Sequence, residues 1–167
     1  MDTFKVLLMG LDGAGKSSII NSYFEGMNFE PIPNDLVEER EFEFFGNMIS
    51  IVELGGRYRF KYEWPSLYNN SNGFIWVLDS IDRGRITESK EELVSALSHP
   101  DIIRIPILII ANKQDSKWIM PWEEIEKRFS NLGSKAKIIK TSAFTCENIE
   151  EGLQWLIEAM KPQFTDE

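Results

Sequence analysis

Thiol and imidazole chemistry are nearly absent from this sequence, whose 167 residues hold one cysteine and one histidine. Cys146 alone cannot form an internal disulfide, so a reducing, cytoplasmic setting is expected. His99, in the run Leu97-Ser98-His99-Pro100, falls where a helix should end. With no second His or Cys placed to share a metal, it reads as a loop histidine and leaves little room for a His-based triad. Positive charge is also in deficit: 18 Lys and Arg against 27 Asp and Glu give a net charge of −9. That balance argues against nucleic acid and against purely electrostatic docking on anionic lipid. Long apolar runs are missing too. The longest, Ile105-Pro106-Ile107-Leu108-Ile109-Ile110-Ala111, is far short of a membrane span. Val6-Leu7-Leu8-Met9 is too short for the core of a signal peptide. Residue 2 is Asp2, not the glycine that myristoylation needs, and Gln163-Phe164-Thr165-Asp166-Glu167 is no prenylation box. Membrane contact is therefore expected only indirectly, or through residues outside this sequence. Repeats and low-complexity segments are absent as well, and the length suits one domain over 1–167.

What is present is a glycine turn in a telling place. Gly10-Leu11-Asp12-Gly13-Ala14-Gly15-Lys16-Ser17 matches the phosphate-binding pattern G-x-x-x-x-G-K-[ST]. An apolar run of strand length, 4–9, precedes it. Ile19, Ile20, Tyr23 and Phe24 follow at helical spacing. In such a turn successive backbone N–H groups converge on phosphate oxygens, and the helix starting near Lys16 adds its positive end. Lys16 is placed to reach the β- and γ-phosphates, and the Ser17 hydroxyl to meet Mg²⁺.

Downstream, 25–35 holds two prolines and a glycine and reads as a loop. Residues 41–44 and 48–53, joined by Phe45-Gly46-Asn47, read as an antiparallel hairpin. A second glycine turn covers Leu54-Gly55-Gly56-Arg57, and 58–68 reads as an irregular helix broken near Pro65. Continuous apolar runs at 73–79 and 106–111 read as central parallel strands. Lys137-Ile138-Ile139-Lys140-Thr141 reads as a last strand. Helices are expected at 86–97, from Pro121 onward with Glu123 and Glu124 at the positive end, and over 147–160. Alternating strands and helices with one early hairpin predict an α/β three-layer sandwich around a six-stranded, mostly parallel sheet. Ligand loops then belong at the carboxyl ends of the parallel strands.

A second signature sits at one of those ends. Asn112-Lys113-Gln114-Asp115 follows the strand 106–111 directly. A carboxylate at Asp115 can accept hydrogen bonds from guanine N1–H and the exocyclic amine. Adenine offers no such donor pair and would leave the acid unpaired. Asn112 can tie this loop to the phosphate loop, and the Lys113 stem can lie over the base. Thr141-Ser142-Ala143 can offer a backbone N–H to guanine O6, with Phe144 beside the ring.

Together these residues resemble the Ras-like small GTPases, specifically the ADP-ribosylation-factor (Arf) and Arf-like branch. The likeness runs from Phe4 to about Met160. Besides the two signatures it rests on Ile32-Pro33, Gly55-Gly56, Val77-Leu78-Asp79-Ser80-Ile81-Asp82-Arg83 and Glu151-Gly152-Leu153-Gln154-Trp155-Leu156. It implies a small G-protein fold and a guanine-nucleotide switch that binds GTP or GDP with Mg²⁺ and hydrolyses GTP. It also implies work in membrane trafficking or related regulation, with an exchange factor, an activating protein and effectors as partners, as a monomer. The implied nucleotide contacts are Asp12, Gly13, Ala14, Gly15, Lys16, Ser17, Ser18, Gly56, Asn112, Lys113, Asp115, Ser142 and Ala143. The implied metal contacts are Ser17, Asn34 and Glu53, and the catalytic positions are Lys16 and Arg57.

Three of these positions depart from the family pattern. Asn34 stands where the family carries the Thr that completes the Mg²⁺ shell, and Glu53 replaces an Asp that holds Mg²⁺ through water. Arg57 replaces the Gln that orients the attacking water; a guanidinium has no acceptor and cannot do this. Slow hydrolysis is therefore expected, and the competing expectation is a non-hydrolysing, nucleotide-loaded adaptor. Val37, Val52 and Leu67 stand at positions where the family exposes aromatics to effectors. A nucleotide kinase is disfavoured, because no Arg-rich lid is inserted.

Overall fold

The computed structural model describes residues 1–24, 37–55, 64–133 and 135–162. Six strands form one sheet: β1 (Thr3–Gly10), β2 (Glu38–Phe44), β3 (Asn47–Glu53), β4 (Gly73–Asp79), β5 (Ile107–Asn112) and β6 (Ala136–Lys140). Among the described residues four helices accompany it: α1 (Lys16–Phe24), α2 (Ile86–Leu97), α3 (Trp122–Phe129) and α4 (Ile149–Met160). The strand order is β2-β3-β1-β4-β5-β6. All pairings are parallel except that of β2 with β3. The expected α/β architecture with one antiparallel hairpin strand is the one observed.

The continuous apolar runs follow from cover on both faces of the sheet. Along β1, Leu7 and Met9 enter a core shared with Trp76 of β4, Leu93 of α2 and Phe129 of α3. Their neighbours Val6 and Leu8 enter a second core with Ile19 of α1, Ile110 of β5 and Leu153 of α4. The period of two thus sends alternate residues of each inner strand to opposite layers. Trp76 is fully buried, and its indole N–H donates to Ser89 Oγ at 3.1 Å, which satisfies its one polar atom.

The β2–β3 turn is made by Phe45 at φ 45° and Gly46 at φ 69°. Positive φ at both central residues gives the twist that closes a two-residue hairpin. As the outer strand, β2 carries Glu39, Glu41 and Glu43 on one face, all exposed, while Phe42 and Phe44 turn to the other and pack with Phe24.

Several boundaries differ from the sequence reading. The closing helix starts at Ile149 rather than 147, because Cys146 (φ 61°) and Asn148 (φ 58°) are left-handed and Ser142 bridges Glu147. Pro121, at ψ 138°, caps α3 instead of entering it. β5 and β6 are each offset by one residue from the runs read in the sequence. Of the irregular helix expected over 58–68, residues 64–67 form a single 3₁₀ turn with Pro65 inside it, and 58–63 lie outside the described residues.

Candidate functional site

The parallel strands β1, β4 and β5 end side by side, with Asp79 opposite Asn112 and Gly10 opposite Val77. Their loops therefore share one rim, as sequence reasoning required. The phosphate loop leaves β1 at Gly10, where the backbone runs against β4. A Cβ there would meet the Val77 carbonyl oxygen at 2.3 Å, so only glycine fits. Gly15, at φ 98°, is hemmed in on the other side, since a Cβ would meet Asn112 Nδ2 at 2.3 Å.

Lys16 is 7% exposed. Its ammonium folds back to donate to the carbonyls of Gly10 and Leu11, each at 3.1 Å. Burial holds its pKa below the ordinary lysine value, opposed by the charges of Glu53 and Asp12. The hydrogen bonds of this buried cation go only to neutral carbonyls, and a phosphate group would add compensating charge. Beside it the Ser17 hydroxyl donates to Glu53 Oε1 at 2.5 Å. Glu53 ends β3 and is 5% exposed. Burial raises its pKa, against the lowering effect of the Ser17 hydrogen bond and of Lys16. A hydroxyl and a carboxylate in contact are hard oxygen donors suited to Mg²⁺, which keeps waters and phosphate oxygens as its other ligands. Among the described residues no group of three or more His, Cys, Asp and Glu side chains converges on a metal position. A Mg²⁺ here would need ligands beyond these two side chains.

Two side chains, Asn112 and Lys113, tie the base-side loops to the phosphate loop. Asn112, 1% exposed, donates through Nδ2 to Ala14 O at 2.9 Å and accepts the Ala143 N–H at 3.1 Å. Asp115 accepts the Ser142 hydroxyl at 2.7 Å on Oδ1, and its other oxygen takes no protein hydrogen bond among the described residues. That oxygen is the acceptor a guanine donor edge needs. The Ala143 amide is already engaged by Asn112, so a base oxygen would share its hydrogen rather than find it unused. Lys113 donates to Gly13 O at 2.8 Å and to Asp79 Oδ2 at 2.6 Å, stretching its stem across the rim. Ser18 is half-buried in the first turn of α1, and Phe144 is exposed.

Two participants escaped the sequence reading. Arg85 donates to Asp12 Oδ1 at 2.8 Å, to Asp12 O at 2.9 Å and to Asp82 Oδ2 at 2.7 Å, clamping the outer side of the phosphate loop. Asp79 anchors Lys113. Neither contact leaves a local pattern, although a charged residue ending a buried strand is a signal that could have marked Asp79. Asn34, Gly56 and Arg57 lie outside the described residues. Of the three aliphatic positions expected in place of exposed aromatics, Val37 is exposed, Val52 is in the core and Leu67 packs at its edge.

Comparison with known proteins agrees with this geometry. The sequence profile of the ADP-ribosylation factor family matches residues 1–160. Human ADP-ribosylation factor-like protein 5A is 34% identical over 163 residues, covering 94% of this chain and 89% of that protein. ADP-ribosylation factor-like protein 1 of Drosophila melanogaster is 30% identical over 160 residues, with the same coverage of 94% and 89%. Among solved structures, the Arl6 BBS3 small GTPase of Trypanosoma brucei, with a bound nucleotide analogue GppNp, superimposes with a TM-score of 0.86 at 26% identity. That match covers 95% of this chain and 97% of the other. With its phosphate loop, base loops and strand order arranged in this way, the chain belongs to the ADP-ribosylation factor family of small GTPases.

Proposed function

We propose that this protein is a guanine-nucleotide switch that binds GTP and GDP with Mg²⁺ and hydrolyses GTP slowly. The observation that carries the reading is the Asn112 bridge, which holds the phosphate loop and the Asp115 loop in one frame. Phosphates are held by the amides of 12–18 and by Lys16, and the guanine edge is read by Asp115 with Asn112, Lys113, Ser142 and Ala143. Ser17 and Glu53 hold Mg²⁺, with Asn34 as a further donor. The metal supplies charge neutralisation on the β- and γ-phosphate oxygens. Lys16 stabilises the same oxygens. Arg57 can neutralise developing negative charge but cannot accept a hydrogen bond from water, so hydrolysis gains little from it. Gly56 adds a backbone contact. Exchange and activating proteins would set the nucleotide state and effectors would read it, in cytoplasmic regulation linked to membrane traffic. No described helix is long and apolar enough to cross a membrane.

Calorimetry of the protein with GDP and ADP, each with Mg²⁺, tests the reading. Guanine must be favoured strongly, and equal affinity for the two refutes it. Arg57 also favours a second reading, a nucleotide-loaded adaptor that does not hydrolyse. Single-turnover measurements separate the two, since phosphate release from bound GTP excludes the adaptor.

A further inference from the structure

At the end of the sheet opposite the phosphate loop, the segments leading into β4, β5 and β6 and the last turns of α4 enclose a groove of about 760 Å³. Beside it, α4 lies close over the start of β4. A Cβ on Gly73 would meet Met160 Sδ at 2.6 Å. Its walls combine an apolar side, Trp155 with Met160 and Pro106, and a cationic rim of Arg104, Lys135 and Lys161. Among the described residues one carboxylate lines the groove with these three cations: Glu158, paired with Lys161 at 2.8 Å. Lys135 spends one proton on Arg104 O at 2.8 Å and keeps the rest. The Arg104 guanidinium has no partner among the described residues and is exposed. Ser71 Oγ, in the wall, is buried without a hydrogen bond. Solvated lysines on an ordinary surface explain the charges alone. They explain neither their convergence beside a half-buried tryptophan nor the unsatisfied hydroxyl.

We propose that this groove binds a small organic anion, its acidic head held by Arg104 and Lys135 and its apolar body against Trp155 and Met160. The volume lies within the range of small-molecule sites, roughly 300–1,000 Å³. In a chain of net charge −9 a local excess of two positive charges draws a small anion here in preference to the rest of the surface. An anionic bilayer meets the repulsion of the whole molecule, whereas a free molecule meets only the groove. The inference does not depend on the nucleotide reading.

The probe is 1-anilinonaphthalene-8-sulfonate, an anion with an aromatic body, titrated by fluorescence into the full chain with and without excess GDP and Mg²⁺. The expected result is saturable one-to-one binding that GDP does not displace. Replacing both exposed cations, Arg104→Glu with Lys135→Glu, weakens it about tenfold or more by reversing two charges. Ala159→Trp fills the groove without changing its charge and abolishes binding, while nucleotide affinity stays as in the parent. Dye binding unchanged in both variants, or displaced by GDP, overturns the proposal. So does charge-dependent co-sedimentation with phosphatidylserine vesicles in the absence of dye binding.

Discussion

Replacing Asn112 with alanine removes the buried side chain that, beside Lys113, joins the two halves of the nucleotide site. The substitution deletes the bonds to Ala14 O and from the Ala143 N–H, at 2.9 and 3.1 Å, and leaves both backbone groups without a protein partner. The buried Ala14 carbonyl costs about 1–3 kcal/mol when orphaned and the half-buried Ala143 amide about 1 kcal/mol, so the ligand-free protein should lose about 2–4 kcal/mol. For a chain of this size each kcal/mol lowers the melting temperature by about 2–4 °C, which gives a fall of about 5–15 °C by scanning calorimetry. The neighbouring glycine supplies an internal check. In Gly15→Ala the new Cβ runs into Asn112 Nδ2 at 2.3 Å, on top of the backbone strain at φ 98°. Once Asn112 is alanine the collision is gone and only the strain remains. A double-mutant cycle should therefore return a coupling of about 1–3 kcal/mol between the two positions. The reasoning fails if Asn112→Ala melts within about 2 °C of the parent. It also fails if Gly15→Ala costs the same in both backgrounds.

Other consequences can be measured on the same material. Lys16→Met should abolish nucleotide binding in calorimetry yet raise the melting temperature of the ligand-free protein, because the buried ammonium is held below its ordinary pKa of 10.5 by desolvation. The unfolded chain binds more protons than the native one between the lowered pKa and 10.5. The parent's stability from this residue therefore rises with pH across that window, and the variant loses the slope. Glu53 works in the opposite sense: its folded pKa lies above 4.5, so its contribution is full below 4.5 and is lost as pH rises through the folded value. Glu53→Gln should remove that slope from denaturant titrations run across the acid range. Asp115→Asn should weaken GDP binding by about a hundredfold or more, since charge-assisted bonds of about 1.5–3 kcal/mol each are lost, and leave ADP binding nearly unchanged. Arg57→Gln restores a water-orienting acceptor and should raise single-turnover GTP hydrolysis by about tenfold or more.

The elements that sequence reading found were those with a strong period or a fixed motif. The inner strands were plain because both faces are covered, and the phosphate loop because its glycines answer to specific collisions with Val77 and Asn112. The Asn112 bridge was foreseen because its two neighbours are set by strand order. Contacts between charged side chains on separate loops were not legible: Arg85 reaches Asp12 across 73 positions, and although Asp12 lies in the phosphate-loop motif nothing local marks Arg85 as its partner. The start of α4 was misplaced because the chain turns left-handed at Cys146 as well as at Asn148, and cysteine, unlike asparagine, rarely takes that conformation. Val52 was placed by analogy with an exposed position, but its alternation along β3 sends it into the core.

The outer strand of the hairpin bears on how these molecules treat one another. Outermost among the described strands, β2 is long enough to template a second sheet, yet Glu39, Glu41 and Glu43 stand in a row on one of its faces. Two copies approaching side by side would bring carboxylate against carboxylate at every second rung, so the charge that marks the whole chain guards the flank most exposed to aggregation. Concentrated salt should weaken that guard first.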